Sequence, residues 1–426
     1  SYDPATDKYE LERLGTSGTD YIAQSDITKG GDNTFFLQFT IDYARRFDKH
    51  NVGGMLLYTQ REFKNNVLPS RNQGLSGRAT YDYDQRYLFE FNFGYNGTER
   101  LGKGDRFEFF PAVSLGWLVS NEKFFEPLSD VVSSLKLRGS YGLVGSDETG
   151  PSNAPHFLYI DQVQVTGNGR PGFTTGENLN VSYYGPVVQQ WAVQNGGWER
   201  VKKLDVGFDM ELFRELSITF DFFYDKRYNI LLHREAWPQS LGFHEAKPWS
   251  NKGKVDNWGY EVSTNWRKQF TKDLTVDFRG TFTYTQNKYI DVDEPIYPYV
   301  WQTATGKPLN RRNGYIAEGL FQSQEEIDNS PTQNLGSKPM PGDIKYRDVD
   351  GNGVIDSKDQ VMISKTANMP RIQYGFGVNI DWKRFNFGVF FNGSAMRDIN
   401  INGLHPFGQN LSLIHISEPT RPISIS

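Results

Sequence analysis

Residues 87–95 read Tyr87-Leu88-Phe89-Glu90-Phe91-Asn92-Phe93-Gly94-Tyr95, with an aromatic ring at every odd position. Successive side chains of an extended strand point to opposite faces, so this two-residue period gathers the rings on one surface. Leu216, Ile218, Phe220, Phe222 and Tyr224 repeat the pattern against Ser217, Thr219, Asp221 and Asp225. Working outward from these two stretches, the same alternation marks twelve strands. They lie near 35–45, 51–63, 75–83, 86–96, 107–119, 133–141, 198–213, 216–232, 257–267, 274–288, 371–382 and 385–395.

The links between them alternate in length. Arg46 to His50, Asp84-Gln85, Arg214-Glu215, Lys268 to Asp273 and Lys383-Arg384 are short, and the longer Ser120 to Val132 falls at the same parity. The others, 64–74, 97–106, 142–197, 233–256 and 289–370, are long. In an up-and-down meander every second link lies at the same end. The sequence therefore predicts an all-β fold, an antiparallel up-and-down transmembrane β-barrel with tight turns at one rim and long extracellular loops at the other. Ten residues rise about 34 Å, which at a 45° tilt spans roughly 24 Å of hydrocarbon. Tyr81, Tyr83, Tyr87, Tyr95, Trp117, Trp258 and Trp382 stand at strand ends, where amphipathic rings form interfacial girdles. A propeller would repeat a blade motif and a sandwich has no reason for the short/long parity.

Composition agrees. The 426 residues carry a formal net charge of −5, which gives no electrostatic case for nucleic acid. There is no Cys, hence no disulfide or thiolate site. No apolar run approaches eighteen residues, which excludes a transmembrane helix but not a barrel. The chain opens on Ser1-Tyr2-Asp3-Pro4 and reads as starting inside a longer protein. Leu411 to Arg421 resembles the translation of a sequencing-library adapter. The expected organisation is thus a partial barrel over 1–410 and a non-native tail over 411–426.

Several stretches together resemble the C-terminal half of a SusC-like, TonB-dependent outer-membrane transporter of the Bacteroidetes type. They are Gly77-Arg78 through Arg86-Tyr87-Leu88 to Tyr95-Asn96-Gly97, Phe109-Phe110-Pro111, Ser114-Leu115-Gly116-Trp117, and Leu135-Lys136-Leu137-Arg138 with Ser140-Tyr141-Gly142-Leu143. Trp198-Glu199, Gly253-Lys254-Val255, Asn257-Trp258-Gly259-Tyr260-Glu261 and Pro341-Gly342-Asp343-Ile344 complete the set. The resemblance implies energised import of large ligands, oligosaccharides or peptides, across the outer membrane. It also implies a SusD-like surface lipoprotein over the mouth, and coupling to a TonB complex through an N-terminal part and plug outside this sequence. Such barrels have twenty-two strands, so about twelve is roughly half. A calcium-braced surface adhesin without transport is the alternative.

The sharpest local motif runs from Asp348 to Asp359. Asp348, Asp350, Asn352, Asp356 and Asp359 supply oxygens at positions 1, 3, 5, 9 and 12, Val354 offers a carbonyl, and Gly353 precedes it after Gly351. A hard cation wants six or seven oxygens, and Ca²⁺ fits. Asp359 in place of Glu at position 12 has a shorter reach. Ser323-Gln324-Glu325-Glu326 reads as a capping box opening a short helix. Loop aromatics are the ligand-contact candidates, with Trp191, Trp237, Trp249 and Trp301 foremost; Tyr159, Tyr183, Tyr184, Tyr297 and Tyr299 are further ones. The six His show no metal-protease spacing and no nucleophile elbow is present, so no enzyme is expected. Glu90, Asp205, Asp209, Asp221 and Asp277 fall on the polar parity and are expected to face barrel water or the plug.

Overall fold

The computed structural model describes residues 31–64, 69–147, 157–164, 171–193, 196–236, 248–367 and 369–398, with two paired fragments at 2–3 and 8–9. The adapter-like tail and Trp237 lie outside the described residues. Twelve strands form one antiparallel sheet in which sequence neighbours are spatial neighbours throughout. They are β1 Asn33–Phe47, β2 His50–Lys64, β3 Ser70–Tyr83, β4 Tyr87–Thr98, β5 Phe107–Leu118 and β6 Val132–Ser146. The second half comprises β7 Glu199–Leu212, β8 Leu216–His233, β9 Trp249–Thr271, β10 Leu274–Asp291, β11 Ile372–Trp382 and β12 Phe385–Ala395.

Register keeps the two faces apart across the wall. Tyr87, Trp117, Leu137, Phe208, Phe220, Val262, Phe282 and Tyr374 form one continuous cross-strand row of apolar and aromatic side chains. On this outward face Phe89 is 41% exposed, Leu115 61% and Val206 48%, and Tyr87, Leu137 and Tyr374 of the row are exposed as well. Among the described residues every other sheet is a single pair of short strands. A water-soluble chain does not leave so large an apolar area bare, whereas acyl chains solvate it at no cost. The hydrophobic side chains that are buried lie instead mainly among the loops, as Leu101, Leu158, Trp198 and Phe321 do.

The tight turns explain the register. Asp84 and Gln85 both have positive φ (51° and 54°), as do Phe213 and Arg214 (54° and 58°), in three-residue links, 84–86 and 213–215, that close with Tyr83 paired to Tyr87 and Leu212 to Leu216. The longer turn-side link, 119–131, winds into two short 3₁₀ turns that tuck Val119 and Phe125 inside. Its Glu122 gathers the girdle. The carboxylate accepts from Tyr87 Oη at 2.7 Å and Trp117 Nε1 at 3.2 Å, and lies 3.6 Å from the Arg86 guanidinium.

Three strands differ from the sequence reading by five residues or more, among them the one read at 133–141, which runs on to Ser146. The strand expected at 257–267 runs from Trp249 to Thr271, because Trp249–Asn251 pair with Leu231–His233, Gly253 with Ile230 and Lys254 with Asp291, beyond the apolar band. Those added residues are mostly polar, with Trp249 and Val255 buried, and lack the two-residue alternation, since they stand above the hydrocarbon. The 64–74 link is also shorter than read, for β3 begins at Ser70.

Candidate functional site

Three places concentrate polar chemistry. The first is the lumenal wall. Arg138 on β6 reaches Asp205 (3.6 Å) and Asp209 (3.3 Å) on β7, and clasps Asp221 on β8 with contacts of 2.6 and 2.7 Å. The reach across two strands depends on Gly207, which pairs with both Arg138 and Asp221. A Cβ there would meet Asp221 Oδ1 and Phe220 O at 2.3 Å. Glu90, 3.2 Å from Arg78, continues the same face, and Asp277 lies 3.4 Å from Arg267. The carboxylates that sequence assigns to the polar parity therefore share one face with their counter-charges.

The second place is the long link between β10 and β11, which folds into a unit of its own. Three short strand pairs, Arg312–Gly314 with Val361–Ser364, Ala317–Leu320 with Ile344–Tyr346, and Thr332–Gln333 with Val354–Ile355, enclose Phe321 and Ile355. Helix α1 (Gln324–Asp328) starts where the capping residues stand: Ser323 Oγ accepts from Glu326 N. The return bond comes from Gln322 N to Glu326, one residue earlier than the usual box. The Asp-rich loop lies here. Asp348, Asp350 and Asp359 each bring a carboxylate oxygen within 4.8 Å of the others. Asp359 is fully buried and accepts from the amides of Val349, Asp350 and Asp356. The Gly353 amide foremost, with that of Gly351, holds the Asp348 carboxyl below the ordinary aspartate range.

Of the six ligands read from the sequence, those three carboxylates converge. Asp356 instead caps a 3₁₀ turn through Lys358 N, and Asn352 Oδ1 accepts from Val354 N while its amide donates to Asp350. Tyr299 and Trp301 stack beside the loop with centroids 4.5 Å apart and planes 7° from parallel. Trp301 Nε1 donates to Lys358 O at 2.7 Å. The Tyr299 hydroxyl bonds to the Asp350 carboxylate, which raises its pKa.

The other ring candidates divide. Trp191 is exposed. Trp249 is buried with Leu158, Val193 and Leu231, its ring 3.6 Å from that of His233. Both faces are thus covered, and Trp249 braces the loops rather than meeting a ligand. Tyr159 lies in the third place, a cavity at the loop-side rim that it shares with Phe157, Asn72 and the arginines Arg61, Arg71 and Arg106. Sequence reasoning missed those arginines. Each stands alone at the end of a different strand or link, and only the sheet register brings them together.

Comparison with known proteins places this wall. The chain is 27% identical over 340 residues to TonB-dependent receptor P3 of Formosa agariphila, covering 76% of this chain and 32% of that protein. It is 26% identical over 391 residues to TonB-dependent receptor SusC of Bacteroides thetaiotaomicron, covering 87% of this chain and 35% of that one. This chain is a relative of the TonB-dependent receptors. It spans about a third of the length of the curated relatives it matches. The RagAB peptide transporter superposes with a TM-score of 0.65 at 17% identity, over 86% of this chain and 41% of that one, a likeness of fold. No protein-family model matches. The two-faced sheet of this receptor relative is that of an outer-membrane β-barrel, crossing with strands; among the described residues no helix is long and apolar enough to cross.

Proposed function

We propose that this chain is the membrane wall and outer loop face of an energised importer of large nutrients, oligosaccharides or peptides. In this reading it works under a SusD-like lipoprotein and draws on a TonB complex through other parts of its protein. The supporting observation is the two-faced wall, with rings outward toward lipid and an Arg138-centred ionic network on the inner face. Inner walls of that kind suit hydrated cargo or a polar filler domain. Deleting the gene should abolish uptake of one labelled oligosaccharide or peptide from a panel, and a protonophore should do the same in the parent strain. Uptake that survives collapse of the proton gradient would overturn the reading.

The Asp348–Asp359 loop is proposed to hold a structural Ca²⁺. Three carboxylates converging within 4.8 Å repel one another unless a cation lies between them, so the donor set fits a hard ion. Asp348, Asp350 and Asp359 would hold it, and Asn352, Val354 and Asp356 are the further oxygen donors that the sequence offers. The ion would stiffen the loop unit and supply no chemistry. Chelator, or Asp350→Ala, is expected to open the segment between β10 and β11 to trypsin. Identical cleavage with and without chelator counts against the site.

A further inference from the structure

The cavity at the loop-side rim encloses about 310 Å³, the lower end of the range for ligand pockets. Its floor follows from register. Arg61 pairs with Asn72 and Asn72 with Thr98, a row of the same parity as Glu90 and therefore on the lumenal face. Thr98 N donates to Arg106 O, which brings Arg106 to the end of that row. The carboxylates nearby are already engaged: Glu62 pairs with Arg71 at 3.0 Å, Glu99 accepts from Arg71 N, and Asp147 accepts from Asn72. Arg106 donates only to a backbone carbonyl, Leu101 O at 3.2 Å, and its guanidinium lies 6.0 Å from the centre of the Tyr159 ring. Neither Arg61 nor Arg106 makes an ion pair among the described residues.

Two guanidinium forks without an ion pair among the described residues thus face one cavity whose other wall is aromatic, with the Glu99 carboxylate also in the lining. Phe157 and Tyr159 meet edge to face with centroids 6.2 Å apart, forming a corner, and Asn72 adds a planar amide. A fork of parallel N–H groups matches the paired oxygens of a carboxylate or sulfate. A ring corner with amides suits the flat face and hydroxyls of a sugar. We propose that this cavity is a subsite for an acidic oligosaccharide, binding a uronate carboxylate or sulfate ester at Arg61 and Arg106 while the sugar ring lies on Tyr159. The proposal rests on the importer reading and narrows its cargo.

The test is calorimetric titration of the complete receptor that carries this chain, in detergent at low and moderate salt. Probes are an oligogalacturonate, a chondroitin sulfate hexasaccharide, maltohexaose and a penta-glutamate peptide. At least one acidic sugar should bind and weaken with salt, while maltohexaose should not bind. Arg61→Gln and Arg106→Gln should each weaken that binding about tenfold, the worth of one charge-assisted contact, and Tyr159→Ala should weaken it too. Unchanged heat-modifiable gel migration would certify that each variant is folded. Equal binding of maltohexaose, binding of the peptide alone, or acidic-sugar binding indifferent to both arginine variants would overturn the proposal. Failure of the importer reading looks different: the acidic sugar would bind in vitro yet never enter cells in an energy-dependent way.

Discussion

At the scale of single residues, Gly207 and Glu122 show how the wall is tuned. Gly207 leaves the gap through which Arg138 reaches Asp221. Gly207→Ala forces a Cβ into Asp221 Oδ1 and a strand carbonyl, so the clasp must open or the strand must shift. We expect a loss of about 1–3 kcal/mol, read as a lower unfolding temperature in detergent, with Ser140→Ala as a neutral comparison. Glu122 acts at the opposite rim, outside the strands. Hydrogen bonds from Tyr87 first and Trp117 second, with Arg86 nearby, hold its pKa below the ordinary glutamate value. A depressed folded pKa means the carboxylate stabilises the fold above the unfolded pKa. That contribution drains as pH falls through the folded one. The stability gap between wild type and Glu122→Gln should therefore stay constant from neutral pH down to the ordinary carboxylate range and close below it. A gap unchanged at still lower pH would refute the assignment.

At the scale of elements, what was legible follows from what the membrane imposes. Strands such as β4 and β8 announce themselves because one face must be apolar at every second residue. The first eight residues of β9 carry no such pattern: they stand beyond the hydrocarbon, where pairing needs only backbone. The Asp-rich loop was legible as a motif, but the roles inside it were not. Asp359 reads from the sequence as a ligand, yet the fold buries it under three amides, so it is first the loop's anchor. The rim cavity was illegible, since Arg61 and Arg106 meet only through register. The anchoring role of Asp359 carries its own test. Asp359→Ala strands three half-buried donors and should cost about 1–3 kcal/mol locally, seen as faster hydrogen exchange over 348–364 even in saturating Ca²⁺. Asp350→Ala, at the half-buried end of the cluster, should show its loss chiefly as weakened calcium binding. If both variants responded alike to added calcium, the division of labour between anchor and ligand would fail.

At the scale of the whole molecule, the sheet has two margins that are free among the described residues. β1 and β12 each pair with one neighbour, and β1 is exposed along its full length of 15 residues. Alternate residues of a margin strand aim both backbone groups away from the sheet, so β12 alone, with 11 residues, presents roughly ten unpaired donors and acceptors. Each costs several kcal/mol in hydrocarbon, which sums to tens of kcal/mol and exceeds any plausible margin of stability for the wall. Hydrophobic match therefore cannot make residues 31–398 by themselves a stable membrane species; the margins must find strands. Produced alone and refolded in detergent, that segment should give oligomers or aggregates through margin pairing, with no compact monomer by light scattering and no heat-modifiable band. The complete receptor should give both. A monodisperse, heat-modifiable monomer of 31–398 would mean that β1 and β12 can close on each other. The wall would then be a small twelve-stranded barrel, too narrow for a large nutrient, and the importer reading would fall with it.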